Sequence, residues 1–258
     1  MRGINFICSV VFILAGCDRY KSKHPQAALT QDSASLNQTS IQAYADSINQ
    51  TLVNFEKQNS LIYSAGDYSF YVTKYSYNNN PVLYIENISS HESASTKNFY
   101  YLRNKSLVLA EQQLRGNSED STAFTFSRNY YRNNTLFYSI KKIGKTEQEA
   151  AKAVFKPYLP EVPNLRKDLD RIENALGQNG EFELFFAKVT EDPANRYIVL
   201  NSAKTGQYEA AIKVEKEDDF IKDLFARPET YKGQKLVLEW QLKDSTGAIY
   251  VAGKQKSL

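Results

Sequence analysis

Apolar positions along the chain change period several times, and each change predicts a different element. From Ser40 onward, Ile41, Tyr44, Ile48, Leu52 and Phe55 recur every three or four residues. That spacing predicts an amphipathic helix of about 18 residues whose apolar face packs on a core. The period then drops to two. Tyr75-Ser76-Tyr77-Asn78-Asn79-Asn80-Pro81-Val82-Leu83-Tyr84, Tyr100-Tyr101-Leu102-Arg103-Asn104-Lys105-Ser106-Leu107-Val108-Leu109 and Tyr130-Tyr131-Arg132-Asn133-Asn134-Thr135-Leu136-Phe137-Tyr138 share one layout: aromatic residues, an Asn-centred turn, an apolar strand. The layout repeats at roughly 25 to 29 residues. Asparagine tolerates the positive φ that two-residue hairpin turns require, and aromatic and β-branched flanks suit a half-buried pleated surface. Three successive hairpins predict an antiparallel meander of about six strands, covered on one face by the first helix. The tyrosines read first as packing residues across the sheet, and second as an exposed Tyr-rich face for a partner or glycan.

Thr146-Glu147-Gln148-Glu149 has the spacing of a capping box, with Ala150, Ala151, Val154 and Phe155 after it, so a short helix is expected there. Pro157, Pro160 and Pro163 then break the pattern and mark a boundary. Asn164 is placed to cap a helix striped by Leu165, Leu169, Ile172 and Leu176 and ended by Gly177 and Asn179-Gly180. From Glu181 the pattern reads strand (Phe182 to Thr190), strand (Arg196 to Asn201), strand (Tyr208 to Val214), helix (Asp218 to Ala226), strand (Lys235 to Lys243) and strand (Ile249 to Lys254). Five strands with a helix between the third and fourth resembles the order of the OB-fold, a small Greek-key barrel. Phe220, Ile221, Leu224 and Phe225 would plug its bottom, and the passage from Arg227 to Lys235 resembles the helix-to-strand connection of such barrels; an SH3-like barrel is the competing reading. The expected fold class is α+β: a hairpin meander with a covering N-terminal helix, then an OB-like five-stranded barrel. The expected divisions are 1–16, a signal peptide; 17–38, a flexible tether; 39–156, the helix and hairpin repeats; 157–180, a Pro-rich linker and helix; and 181–258, the barrel.

The start of the chain has a chemistry of its own. Arg2 precedes an apolar run from Phe6 to Ala15, too short to span a bilayer and of signal-peptide length. Leu14-Ala15-Gly16-Cys17 closes it. These four residues resemble the lipobox of bacterial lipoproteins, which implies a diacylglyceryl thioether on Cys17, cleavage before it, and an extracytoplasmic, lipid-anchored protein of the cell envelope. In enteric lipoproteins an Asp directly after the cysteine retains the protein at the inner membrane, so Asp18 leans the expectation that way. The polar stretch after it, rich in Ser, Gln and Lys, reads as a tether. The hairpin layout resembles MORN-type repeats and the inhibitor-like or PepSY-like modules of exported bacterial proteins, without the MORN glycine framework.

Composition narrows the chemistry. The chain has 258 residues, 13% aromatic and 42% hydrophobic, enough for two modest cores. Its two cysteines, Cys8 and Cys17, fall in the signal peptide and the lipobox, which leaves the expected mature protein no thiol for a disulfide, a nucleophile or a zinc-thiolate site. The net charge of +3 is mixed along the sequence and argues against a nucleic-acid surface. Of two histidines, His24 falls in the tether and His91 in a polar Ser-rich stretch, so no triad is nominated. Glu215, Glu217, Asp218 and Asp219 read as helix N-terminal acids, and Asp244-Ser245-Thr246-Gly247 as a turn. No phosphate-binding glycine loop occurs, and no catalytic residue, metal or cofactor is nominated. Tyr197, Tyr208 and Trp240 are the strand aromatics that could form a ligand face on the barrel. The expected function is a non-enzymatic binding or scaffold module for an envelope protein or glycan. The alternatives are an envelope hydrolase with a site between the domains and an inhibitor or immunity-type protein.

Overall fold

The computed structural model describes residues 36–90, 94–116, 124–160, 165–202, 207–243 and 247–254. It is mostly β, with 52% of the described residues in strands. Helix α1 (Gln38–Gln50) opens with a reciprocal cap: Asn37 accepts from the Ser40 amide at 2.9 Å and Ser40 accepts from the Asn37 amide at 3.1 Å. It is shorter than the apolar spacing predicts. Thr51, Val53 and Asn54 are weak helix formers, and the Thr51 hydroxyl bonds back to the Ser47 carbonyl at 2.8 Å. The chain then takes one 3-10 turn at Leu52–Asn54, and Phe55 becomes extended. Residues Glu56–Asn59 form strand β1 instead, because they find partners in the sheet.

After the short β2 (Tyr63–Ala65), the meander consists of three hairpins: β3 (Tyr68–Tyr77) with β4 (Asn80–Ser90), β5 (Ser95–Arg103) with β6 (Ser106–Arg115), and β7 (Phe124–Arg132) with β8 (Thr135–Gly144). Each turn is a pair of left-handed residues, Asn78-Asn79 at φ 49° and 61°, Asn104-Lys105 at 51° and 63°, and Asn133-Asn134 at 50° and 60°. Two consecutive positive φ values are the type I′ geometry that matches strand twist. Each hairpin also carries one register shift shortly before its turn, after Tyr75, Tyr101 and Tyr130.

The paired tyrosines split between the two faces of this sheet. Tyr101 and Tyr130 join Leu83, Ile85, Leu109 and Ile140 beneath Ile41, Tyr44 and Ile48 of α1. Tyr100 and Tyr131 face the other way, into the larger cluster. All four are buried, so they do not form the exposed tyrosine face of the second sequence reading.

After the meander come α2 (Glu147–Lys152), β9 (Lys156–Pro157) at the sheet edge, and α3 (Leu165–Gly177), whose Ile172, Ala175 and Leu176 pack on that second face. Thr146 caps α2 by accepting from the Glu149 amide at 3.1 Å, but Glu149 reaches the amide of Lys145 rather than that of Thr146. The left-handed residue ending α3 is Gln178, at φ 52°, not Gly177, and the Asn179 amide closes the helix onto the Asn174 carbonyl at 2.9 Å. Asn164, its expected cap, lies outside the described residues. Polar ties dock α3 on the sheet: Tyr63 Oη donates to the Ala175 carbonyl at 2.8 Å, Tyr84 Oη and Arg171 donate to Glu173 and Glu86 respectively, and Lys74 pairs with Glu173 at 3.7 Å.

The chain continues through β10 (Leu184–Glu191), β11 (Arg196–Ser202), β12 (Glu209–Lys213), α4 (Asp219–Ala226), α5 (Pro228–Tyr231), β13 (Val237–Lys243) and β14 (Gly247–Lys254). One pairing, Glu209 with Ser64, joins β12 to β2, so the strands form one sheet in the order β10-β11-β12-β2-β3-β4-β5-β6-β7-β8-β9. Strand β14 runs parallel to β12 and antiparallel to β13. The sheet is open rather than closed, and the closed barrel expected over 181–258 is not borne by its ladders: β10 ends the sheet beside β11. The larger buried cluster draws on Phe70, Tyr100 and Tyr131 as well as Phe182, Ile198 and Leu224. Among the described residues, no helix is long and apolar enough to cross a membrane.

Candidate functional site

The face of the hairpin sheet under α3 is not apolar throughout. Near the turns it presents Tyr84, Leu102 and Leu107, but farther along the strands it turns polar. Strand register places Glu86 opposite Asn98, Asn98 opposite Gln112, and Gln112 opposite Ser127, one polar side chain on each of β4, β5, β6 and β7. Where α3 and the segment around Tyr158 and Pro160 overhang this row, they leave a cleft of about 610 Å³, within the usual range for small-ligand sites of about 300–1,000 Å³.

The row is a directed hydrogen-bond chain. Gln112 Nε2 donates to Asn98 Oδ1 at 3.0 Å, and Asn98 Nδ2 donates to Glu86 Oε2 at 2.9 Å. Arg171 of α3 donates to the other oxygen, Glu86 Oε1. The Glu86 side chain is only 1% exposed, so a buried carboxylate is held by a counter-charge and an amide together. Arg171 is itself fixed, its guanidinium 5.0 Å from the centre of the Phe70 ring. The chain runs out at Gln112, whose amide oxygen accepts nothing in it.

Two groups in the cleft are not spent. Asp168 of α3 has no side-chain hydrogen bond or ion pair among the described residues; burial, reinforced by the charge of Glu86 and opposed by Arg171, pushes its carboxyl above the usual range. Tyr131 is 1% exposed, lines the cleft, and has a hydroxyl with no hydrogen-bond partner among the described residues. Burial, with the neighbouring Tyr158 and Asp168, raises that hydroxyl to about 12, so it is a neutral donor and acceptor at physiological pH. Tyr158 Oη, by contrast, donates to Asn129 Oδ1 at 3.1 Å, and the Lys141 ammonium lies 5.1 Å from the Tyr158 ring centre. An unpaired buried hydroxyl costs about 1–3 kcal/mol, so buried polar groups are nearly always satisfied.

A second concavity, of about 410 Å³, sits at the far ends of the hairpins between Ser89, Ser95, Arg115 and Phe124. Its rim adjoins residues 91–93 and 117–123, which are outside the described set, and its Ser69 and Ser89 hydroxyls bond each other at 2.8 Å.

The strand aromatics expected to form a ligand face do not share one surface. Tyr208 is packed into a ring cluster with Tyr63, Phe70 and Phe182, at centroid distances of 6.1, 5.9 and 5.0 Å. Trp240 packs against the core on the inner side of β13, with Leu238 and Leu242. Tyr197 precedes the buried Ile198 on β11 and so points to the opposite side from it. The acids of 215–219 are individually engaged: Glu215 with Lys213 and Lys243, Glu217 with Arg196, Asp219 with Lys222, and Asp218 as the cap of α4. Among the described residues, no group of three or more His, Cys, Asp or Glu side chains could hold a metal ion. Leu14, Ala15, Gly16, Cys17, Asp18, His24 and His91 lie outside the described residues. So do the turn residues Thr205, Gly206, Asp244, Ser245 and Thr246.

Sequence reasoning missed the cleft altogether. Its signal is a polar residue at each of four strand positions that ought to be apolar, and it becomes visible only once the register aligns them. Comparison with protein-family models, with curated proteins and with solved structures finds no match.

Proposed function

We propose that this chain is a lipid-anchored lipoprotein of the bacterial cell envelope that acts as a non-enzymatic binding module, and that its protein or glycan partner is held in the cleft between the hairpin sheet and α3. The observation that carries this reading is the Tyr131 hydroxyl, buried at 1% exposure without a partner in a polar cleft. Cys17, after Leu14, Ala15 and Gly16, is the lipidation site in this reading, and Asp18 favours the inner membrane. One acyl chain alone binds a membrane marginally, whereas the two or three of a processed lipoprotein hold it durably.

A hydrolase would need two available carboxylates, and the cleft is lined by Glu86, Glu111 and Asp168, of which Glu111 is paired with Arg128 at 2.7 Å. Both oxygens of Glu86 are engaged, by Arg171 and Asn98, which suits holding a ligand better than proton transfer or nucleophilic attack.

Residues 181–258 are proposed as an opened OB-like unit. Three features support this: the local strand order β10-β11-β12-β14-β13, the parallel pairing of β12 with β14, and α4 between the third and fourth strands. The Phe186 amide also donates to the Gln234 carbonyl, and the Gly233 amide to the Phe186 carbonyl, both at 2.8 Å, where such a barrel would close.

Native mass spectrometry of the full chain, extracted in detergent from a bacterial envelope, tests the reading. The expected spectrum shows acyl mass on a chain beginning at Cys17, with a non-covalent adduct that is lost in Tyr131→Phe. An unacylated chain removes the anchor, and an adduct unaffected by Tyr131→Phe removes the cleft.

A further inference from the structure

The chemistry left available in the cleft selects a ligand class, an inference that rests on reading the cleft as the binding site. We infer that it takes a short, extended oligosaccharide that is neutral or carries protonated amines, and rejects acidic sugars. The donors of the central row all point one way, toward Glu86, and end on it. What faces the open space is therefore weighted toward acceptors: the outer amide oxygen of Gln112, the hydroxyls of Ser127 and Tyr131, and the unspent carboxylate of Asp168. The lining holds three carboxylates, Glu86, Glu111 and Asp168, and one guanidinium; the guanidinium is consumed by Glu86, and Glu111 is paired with Arg128. An incoming anion would meet the negative charge of Asp168, offset in part by Arg171 and Lys167, whereas hydroxyls and ammonium groups would meet acceptors.

Geometry argues for a sugar chain rather than a compact polyol. Glu86, Asn98, Gln112 and Ser127 stand on adjacent strands, about 4.8 Å apart, close to the length of one pyranose unit in an extended oligosaccharide. A ligand lying across the last three of these strands would meet one amide or hydroxyl side chain per ring. The half-buried ring of Tyr158 lines the same cleft and gives an apolar sugar face something to pack on.

The test is calorimetric titration of the detergent-solubilised full chain with three named probes: the trimer of glucosamine, the trimer of N-acetylglucosamine and trigalacturonate. Both hexosamine trimers are expected to bind, each at least about tenfold more tightly than trigalacturonate, with the free amine form tightest. Asp168→Asn should abolish the advantage of the amine over the N-acetyl form while leaving the latter within about twofold. Tyr131→Phe, and separately Gln112→Ala at the exposed end of the row, should weaken both by about five- to tenfold, as loss of one hydrogen bond does. Far-UV spectra and unfolding midpoints establish that each variant is folded. Trigalacturonate binding as tightly as the hexosamines overturns the inference, as does failure of both hexosamine trimers to bind. In either case an envelope-derived adduct lost in Tyr131→Phe would leave the cleft standing as a binding site of another class. Shortened oligomers after incubation would overturn the non-enzymatic reading itself.

Discussion

Replacing Tyr131 by Phe should make the empty protein more stable and the binding protein worse, two effects that part only if the hydroxyl is there for a ligand. The ring of Tyr131 is packed in the larger core and 1% exposed, so Phe fills the same space. The hydroxyl has no partner, and its burial costs part of the about 1–3 kcal/mol that an unsatisfied polar group carries. Removing it should therefore raise stability by about 1 kcal/mol, or about 2–4 °C in Tm for a chain of this size. Tyr63→Phe is the control. That hydroxyl is equally buried but donates to the Ala175 carbonyl at 2.8 Å, and its loss removes a buried hydrogen bond at the cost of about 0.5–1.5 kcal/mol. Urea unfolding of ligand-stripped wild type and both variants measures the difference, with midpoints compared at unchanged slope. A Tyr131→Phe midpoint lowered as far as that of Tyr63→Phe would refute the reasoning, because it would mean that the hydroxyl is satisfied within the fold.

Arg171→Ala should destabilise by about 3 kcal/mol in the same assay, since it leaves the buried Glu86 carboxylate without its counter-charge, and Glu86→Gln added to it should recover more than half of that loss. Lys105→Gly should stabilise by about 0.5–1 kcal/mol, because Lys105 sits at φ 63° in a type I′ turn where Asn-Gly is the preferred pair; a lowered thermal midpoint would contradict it. Asp218→Ala should cost about 1–2 kcal/mol at pH 7 by removing the cap of α4, where Asp218 accepts from the Ile221 amide at 2.9 Å and the Tyr250 hydroxyl at 2.6 Å. Burial works against the Asp218 charge, but the bonds from Tyr250 and the backbone outweigh it and hold the carboxyl below the usual range. Its stabilisation is thus fully present above the unfolded carboxylate value of about 3.9 and lost as pH falls through the lower folded value. The gap between wild type and Asp218→Ala in denaturant titrations should stay constant down to about pH 4 and close below it; a gap that closes near neutrality would contradict this.

Elements governed by local chemistry were legible in the sequence. The three Asn-centred turns, the strands on either side of them and the apolar stripe of α1 follow from rules that act within a few residues. Where longer-range pairing decides, the sequence was silent. Glu56–Asn59 gives up helix for a place beside β3, and Pro228–Tyr231 forms a helical turn within a passage that reads as plain connection. The tyrosine pairs show the same limit: adjacent residues must point apart in a strand, but which of them meets α1 and which meets α3 depends on the sheet as a whole. The cleft was the least legible part. Glu86, Asn98, Gln112 and Ser127 are spread over four strands and look like ordinary solvated positions until the register aligns them beneath Arg171. The three aromatics favoured from the sequence were chosen by residue type alone, and two of them serve the core.

The central claim, that the Tyr131 hydroxyl waits for a ligand, is tested most directly by carbon-13 NMR of the full chain labelled at tyrosine Cζ, whose shift reports the hydrogen bonding of each hydroxyl. On addition of the glucosamine trimer, the Tyr131 resonance should move toward the position of a bonded hydroxyl while that of Tyr63, already bonded to Ala175, stays in place. A Tyr131 resonance already at the bonded position in the ligand-free protein would contradict the account.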